Sequence, residues 1–343
     1  MNMNVRRIAV GIGGAICLAI TGNLHAGNLN GAGATFPAPL YQQWISEYSK
    51  VSGGVKINYQ AVGSGAGIAQ IRAKTVDFGA SDEPLKKEEL DKDGLIQFPL
   101  AMGAIVPVVN LSDIKPGEMK LSGTVLAKIF MGQITSWNDP EIVKMNEGLK
   151  LPGMKITVVH RADGSGTTWN FTNYLSKVSG EWSKKHGCAK EIAWVEGSIG
   201  GRGNSGVAAM VKKIKGAIGY VESAYAFESK MTYTQMMNKA GKIVQPDNDS
   251  FQAAAENADW KNAPGFYMVL TDQPGEKSWP IMASTYILVY KSQADKEKID
   301  SLLKYFAWTY DSGAEIAKKL NYVPMPKNVA GLVKETWKNE ITK

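Results

Sequence analysis

Three short segments of this 343-residue chain carry the residue types needed to hold an anion. They are Gly31-Ala32-Gly33-Ala34-Thr35-Phe36-Pro37, Gly63-Ser64-Gly65-Ala66-Gly67 and Arg161-Ala162-Asp163-Gly164-Ser165-Gly166-Thr167-Thr168. Each leads from a strand-like stretch, through small residues and a hydroxyl, into a helical pattern. A helix N-terminus offers unpaired N–H groups and about half a positive charge. Glycine lets an anion approach that backbone, and Ser or Thr adds a hydroxyl donor. One such turn is ordinary capping. Three of them, one headed by arginine, point to a small tetrahedral oxyanion. The Arg161 fork matches two oxygens of such an anion, and Asp163 is placed to hold the fork.

The second segment runs on to Asp77-Phe78-Gly79-Ala80-Ser81-Asp82. A carboxylate beside an oxyanion is unfavourable unless the anion carries a proton. Ionised aspartate only accepts hydrogen bonds, and hydrogen phosphate can donate one. Fully ionised sulfate cannot, so it would leave two acceptors facing each other, at a cost of about 1–3 kcal/mol or more. Asp82 therefore reads as a device against sulfate. Arsenate shares the shape and protonation of phosphate and is not excluded. The Gly-rich stretch 197–206 holds Arg202, Asn204 and Ser205 and precedes another helix. It ranks below the other three, as a turn that caps its helix.

Enzyme motifs are missing from the sequence. It has no G-x-x-x-x-G-K-[ST] loop, no dinucleotide fingerprint at Gly63-Ser64-Gly65 and no serine flanked by glycine at −2 and +2. His186-Gly187-Cys188 is a poor metal nucleus. His160, next to Arg161, reads as a strand-end residue. An exported phosphomonoesterase on the same anion site would need a nucleophile–base pair or a metal set that these residues do not supply. No cofactor or metal is expected.

The elements that must position these segments alternate. Strand-like runs cover 55–59, 104–109, 156–160, 217–221 and 286–290. Helical spacing links Leu40, Trp44, Ile45 and Tyr48 behind Pro37, and Ile68, Ile71 and Val76. It recurs at Leu126 and Ile129, at Phe171, Tyr174 and Leu175, at Val207, Met210, Val211 and Ile214, and across 302–308. Alternation predicts α/β layers, a sheet flanked by helices. The runs 104–109 and 281–290 are apolar enough to cross between two lobes.

Composition fits a soluble globular chain, with 44% hydrophobic and 21% charged residues. The net charge of +7 comes without a dense basic run, so no nucleic-acid partner is expected. Residues 1–26 read as a secretory leader: Arg6 and Arg7, an apolar run 8–20, then Leu24-His25-Ala26 before the cut. Cleavage after Ala26 lowers the charge to +5 and leaves Cys188 as the single thiol. One thiol makes no internal disulfide; Cys188 reads as a buried small apolar residue, ahead of the alternative of a loop thiol able to pair between molecules.

The three turns and the 76–82 segment, with ITSWND at 134–139, GAIGYVE at 216–222 and Trp279-Pro280-Ile281, strongly resemble the phosphate-binding proteins of bacterial high-affinity phosphate transporters. The matches keep the family's order across essentially the whole mature chain. The resemblance implies a two-lobed, type II periplasmic binding protein with hinge strands crossing between lobes. It implies a monomer that holds dehydrated phosphate and delivers it to permease subunits of an ATP-driven transporter. By motif position, Thr35, Phe36, Ser64 and Asp82 would contact phosphate from lobe I (27–106 plus 281–343). Arg161, Ser165, Gly166 and Thr167 would do so from lobe II (107–280), with Asp163 orienting Arg161. Gly65 departs from the family pattern, standing where a second serine is often found. A further surface or signalling role stays open.

Overall fold

The computed structural model describes residues 28–342. The leader segment 1–26 lies outside them. In chain order the strands are β1 (Asn28–Gly33), β2 (Lys56–Ala61), β3 (Phe78–Ser81), β4 (Leu95–Val109), β5 (Lys120–Leu121), β6 (Thr157–Arg161) and β7 (Ile199–Gly201). They continue with β8 (Ala217–Glu222), β9 (Thr232–Tyr233), β10 (Gln235–Met237), β11 (Ile243–Val244), β12 (Met282–Tyr290) and β13 (Val323–Pro324). One large sheet runs β2-β1-β3-β12-β4-β8-β6-β7, with β13 and β9 also paired to β4. β11, β10 and β5 form a small second sheet.

β4 is the spine of the large sheet. Its fifteen residues are all buried. Leu95–Ala104 pairs antiparallel with β12, and Ile105–Val109 pairs antiparallel with β8. The strand thus changes partner between Ala104 and Ile105 and joins two half-sheets. The chain returns at the entry to β12, where Ile281 bridges Thr271 and its carbonyl accepts from the Ile105 N–H at 2.8 Å. The sequence pattern marks only the second part of β4, because Gln97, Pro99 and Gly103 interrupt the earlier part. Pro99 sits beside a register shift between β4 and β12, where a missing N–H is tolerated.

Within each half the strands that lead toward the junction are parallel. β1 pairs parallel with β2 and β3, and β6 pairs parallel with β7 and β8. β1 and β3 escape the apolar pattern because they are built of small residues, and the packing explains why. The helix Ser64–Arg72 lies directly on them. A Cβ on Gly67 would fall 2.4 Å from Gly33 Cα and 2.7 Å from the Ala32 carbonyl oxygen. That same helix ends at Arg72, so Val76, placed on its face by spacing alone, is not part of it. Lys74 turns the chain with a φ of 57°.

Cys188 is exposed, contrary to its reading as a buried residue; its thiol is directed at the Trp169 carbonyl oxygen, 3.3 Å away. It follows the short helix Gly180–Lys185, in a turn that runs along the helix Gly166–Val178 and leaves part of the residue open. Among the described residues no helix is long and apolar enough to cross a membrane.

The helix–sheet contact at Gly67 is backbone against backbone, so it cannot relax by a side-chain rotation. Gly67→Ala is expected to lower the unfolding free energy by about 1–3 kcal/mol, read from urea denaturation. An unchanged midpoint would show that the helix can lift without loss.

Candidate functional site

Parallel strands deliver their carboxyl ends to one place, and ligands in open α/β sheets bind there. Here β1 ends before Thr35, β2 before Ser64, β3 before Asp82, β6 at Arg161 and β7 before Asn204. Four helices begin at the same place: Ala38–Ser49, Ser64–Arg72, Gly166–Val178 and Gly203–Lys213. Their N-termini converge from both half-sheets.

Every site residue expected from the sequence falls within this cluster, and all but the half-buried Asp163 are buried. Thr35 is 6% exposed, Arg161 4%, and Phe36, Ser64, Asp82, Ser165 and Thr167 are at or below 1%. The Phe36 ring packs inward against Tyr322, so only its backbone faces the cleft. Among the described residues, the N–H groups of Thr35 and Phe36 have no acceptor. Ser165 caps its helix by accepting from the Thr168 N–H at 3.0 Å, leaving Gly166 and Thr167 with first-turn N–H groups to offer.

The hydroxyls are set as donors by what they already accept. Thr35 Oγ1 accepts from the Asn204 N–H at 3.1 Å and from Asn204 Nδ2 at 2.9 Å. Thr167 Oγ1 accepts from Asn204 Nδ2 at 3.1 Å and Arg161 Nη1 at 3.4 Å. Two lone pairs are then taken at each oxygen, and the O–H proton is what remains to give. Arg161 is held by Asp163 through two bonds, Nε to Oδ1 at 2.8 Å and Nη2 to Oδ2. Burial disfavours the Asp163 charge, but Arg161 and the Gly203 N–H outweigh it and hold the pKa below the ordinary value.

Asp82 has the opposite balance. Burial pushes its carboxyl up to about 7, against the Thr285 hydroxyl, the Arg161 charge and Ser64. Ser64 Oγ lies 3.4 Å from Oδ2 and accepts from the Asp82 N–H at 3.2 Å. The Asp82 carboxyl thus lies among Ser64, Thr285 and Arg161, an acceptor inside a cluster of anion donors.

The sequence undervalued Asn204. Its layout, three residues past a strand end and opening a helix, was the available signal. The structure shows it bonding Thr35, Thr167 and, through Oδ1, the Glu222 N–H at 2.9 Å. No sequence signal pointed to Asn170, whose Nδ2 donates to the Asp82 carbonyl at 2.7 Å, or to the Lys190–Glu83 ion pair. Gly65 donates its N–H to the Gly164 carbonyl at 2.8 Å, and its own Cβ would lie 3.2 Å from Gly164 Cα. Glycine at this position lets two backbones meet across the cleft. His160 stacks on Trp194 at a strand end, and its ring Nδ1 lies 2.9 Å from the Arg161 carbonyl oxygen.

Comparison with known proteins agrees with this geometry. A family model described as the PBP superfamily domain matches residues 21–312. The chain is 52% identical over 312 residues to the phosphate-binding protein PstS of Xylella fastidiosa (strain Temecula1), covering 91% of this chain and 85% of that one. It is 50% identical over 317 residues to PstS of Haemophilus influenzae, covering 92% and 94%. This chain belongs to the PstS family of phosphate-binding proteins. A solved structure of a high-affinity periplasmic phosphate-binding protein (PfluDING), bound with phosphate, superposes with a TM-score of 0.72 at 21% identity, over 90% of this chain and 94% of that one. The fold is that of the two-lobed periplasmic binding proteins.

Buried acids with raised pKa values make the unliganded protein sensitive to pH. The folded state holds the Asp82 proton more tightly than the unfolded chain does. That contribution to stability is fully present below the ordinary carboxyl value of 3.8 and is lost as pH rises through about 7. Glu222, pushed up to about 8 by burial, acts in the same direction. Asp82→Asn is expected to flatten the fall in urea stability of ligand-free protein between pH 4 and 8. A pH profile identical to that of the parent chain would place the Asp82 charge in a solvated setting.

Proposed function

We propose that this chain captures inorganic phosphate in the interlobe cleft and presents it to the membrane permease subunits of an ATP-driven transporter. The contacting residues are Thr35 and Phe36, Ser64, Asp82, Arg161, Ser165, Gly166 and Thr167. Asp163 fixes the guanidinium and Asn204 sets the two threonine hydroxyls. The observation that carries the reading is the buried Asp82 carboxyl set among anion donors from both half-sheets. An anion that brings its own proton satisfies that carboxylate, and one without a proton does not.

Binding needs no full set of counter-charges. One guanidinium, helix N-termini and hydroxyls share the anion's charge in a site that excludes water. Family names and fold support the transport role. The lobes we assign are 27–106 with 281–343, and 107–280, a division supported by the partner change of β4. The chain acts in the periplasm as a monomer, after its leader is removed near Ala26. No catalytic step is assigned to it.

Calorimetric titration of refolded, ligand-stripped protein tests this directly. Tight one-to-one phosphate binding with no sulfate heat is expected. Arg161→Ala should weaken phosphate binding by at least about tenfold, equal to about 1.4 kcal/mol. Asp82→Asn should erode discrimination against sulfate more than it weakens phosphate. Equal affinity of the parent chain for both anions would remove the role given to Asp82, and no heat with either would remove the binding reading.

A further inference from the structure

Three consecutive carbonyls in the first turn are each held by a tyrosine from a different part of the chain. Tyr59 donates to the Ala34 carbonyl at 2.7 Å, Tyr225 to the Thr35 carbonyl at 2.5 Å, and Tyr322 to the Phe36 carbonyl at 2.8 Å. Tyr59 lies on β2, Tyr225 in the helix Ser223–Glu228 and Tyr322 just before β13. The separations in sequence run from 25 to 286 residues, so no local turn rule produces this arrangement.

The consequence follows from the geometry of the peptide unit. The Ala34 carbonyl shares its plane with the Thr35 N–H, and the Thr35 carbonyl with the Phe36 N–H. No peptide here is cis, so in each unit C=O and N–H point in opposite directions. A phenol fixed on the oxygen therefore aims the hydrogen away from itself. Those two N–H groups are the ones without an acceptor among the described residues. A donor on the carbonyl also polarises the unit and strengthens its N–H as a donor.

Resting on the phosphate reading above, we infer that Tyr59 and Tyr225 are positioning residues that aim and polarise the Thr35 and Phe36 N–H groups at the bound anion; the Phe36 carbonyl held by Tyr322 belongs to the peptide of Pro37, which has no N–H, so Tyr322 anchors only the end of the turn. Tyr225 makes its bond from the other half-sheet, and with Thr35 it lines a cavity of about 750 Å³ at the cleft mouth. It is thus the member of the clamp that links the first turn to lobe closure. Burial raises all three phenols above their ordinary pKa, so each stays an O–H donor at neutral pH. Tyr322 also lies 2.8 Å from Glu222 Oε2.

The test is Tyr59→Phe, Tyr225→Phe and Tyr322→Phe in the full mature chain, with inorganic phosphate as the probe. Each variant removes one hydrogen bond and keeps the ring. Calorimetry should show phosphate affinity falling by about threefold to tenfold for Tyr59→Phe and Tyr225→Phe, with Tyr322→Phe, which acts on a peptide without an N–H, as the control that leaves the Thr35 and Phe36 signals in place. Amide proton shifts in the phosphate complex give a readout that a purely structural role would not move. The Thr35 signal should move upfield in Tyr59→Phe and the Phe36 signal in Tyr225→Phe, with Gly166 and Thr167 unmoved. Should the fully buried Tyr322 variant not fold, the other two carry the test. Wild-type affinity with unmoved Thr35 and Phe36 signals would overturn the clamp and leave the binding reading intact. A wild-type chain without phosphate heat would overturn that reading itself.

Discussion

The structure depends on keeping one buried guanidinium in a fixed orientation. Arg161 is enclosed at the end of β6, and a charge in that setting must be paired and hydrogen-bonded to be tolerated at all. Asp163, two residues on, supplies both. The Gly203 N–H donates to the same carboxylate at 3.0 Å and joins the pair to the start of the next helix. The pair consumes one edge of the fork and leaves the Nη1 side next to Thr167. What the cleft can bind is what the remaining donors around Nη1 can share.

Those donors come from helices whose N-termini meet because their parent strands are parallel within each half-sheet. The two halves meet along β4, which is continuous and buried through its whole length. A rigid strand with different partners at its two ends allows the halves to change their relative angle while each keeps its own hydrogen bonds. Across the cleft they touch through polar contacts, including Gly65 with Gly164, Asn204 with Thr35 and Tyr225 with Thr35.

Asp82 and Glu222 show how the same burial serves different ends. Both acids are raised by desolvation. Glu222 is fully supplied with partners: Ser223, the Ala224 N–H and Tyr322. Asp82 is met by Ser64 and Thr285 and lies beside Arg161 in the cluster of anion donors. The first acid completes a structural network, and the second is the one we propose reads the proton on a bound anion.

The sequence by itself determined the donor turns, the arginine with its nearby aspartate, the carboxylate after β3 and the alternation of strands and helices. These are local: a glycine, a hydroxyl and a helix start lie within a few residues of one another, so their chemistry can be read in one window. The small-residue strands β1 and β3 and the first part of β4 were hidden, because close packing selected glycine, alanine and proline over an apolar signature. Tertiary structure alone decided that the turns converge, that Asn204 bridges Thr35 and Thr167, and that the Ala34, Thr35 and Phe36 carbonyls face tyrosines as far off as position 322. Such contacts depend on strand order and on the seam along β4, and no spacing within the chain records either. Cys188 fell on the wrong side for the same reason: exposure is set by which elements fold over a turn, and the residue type does not carry that information.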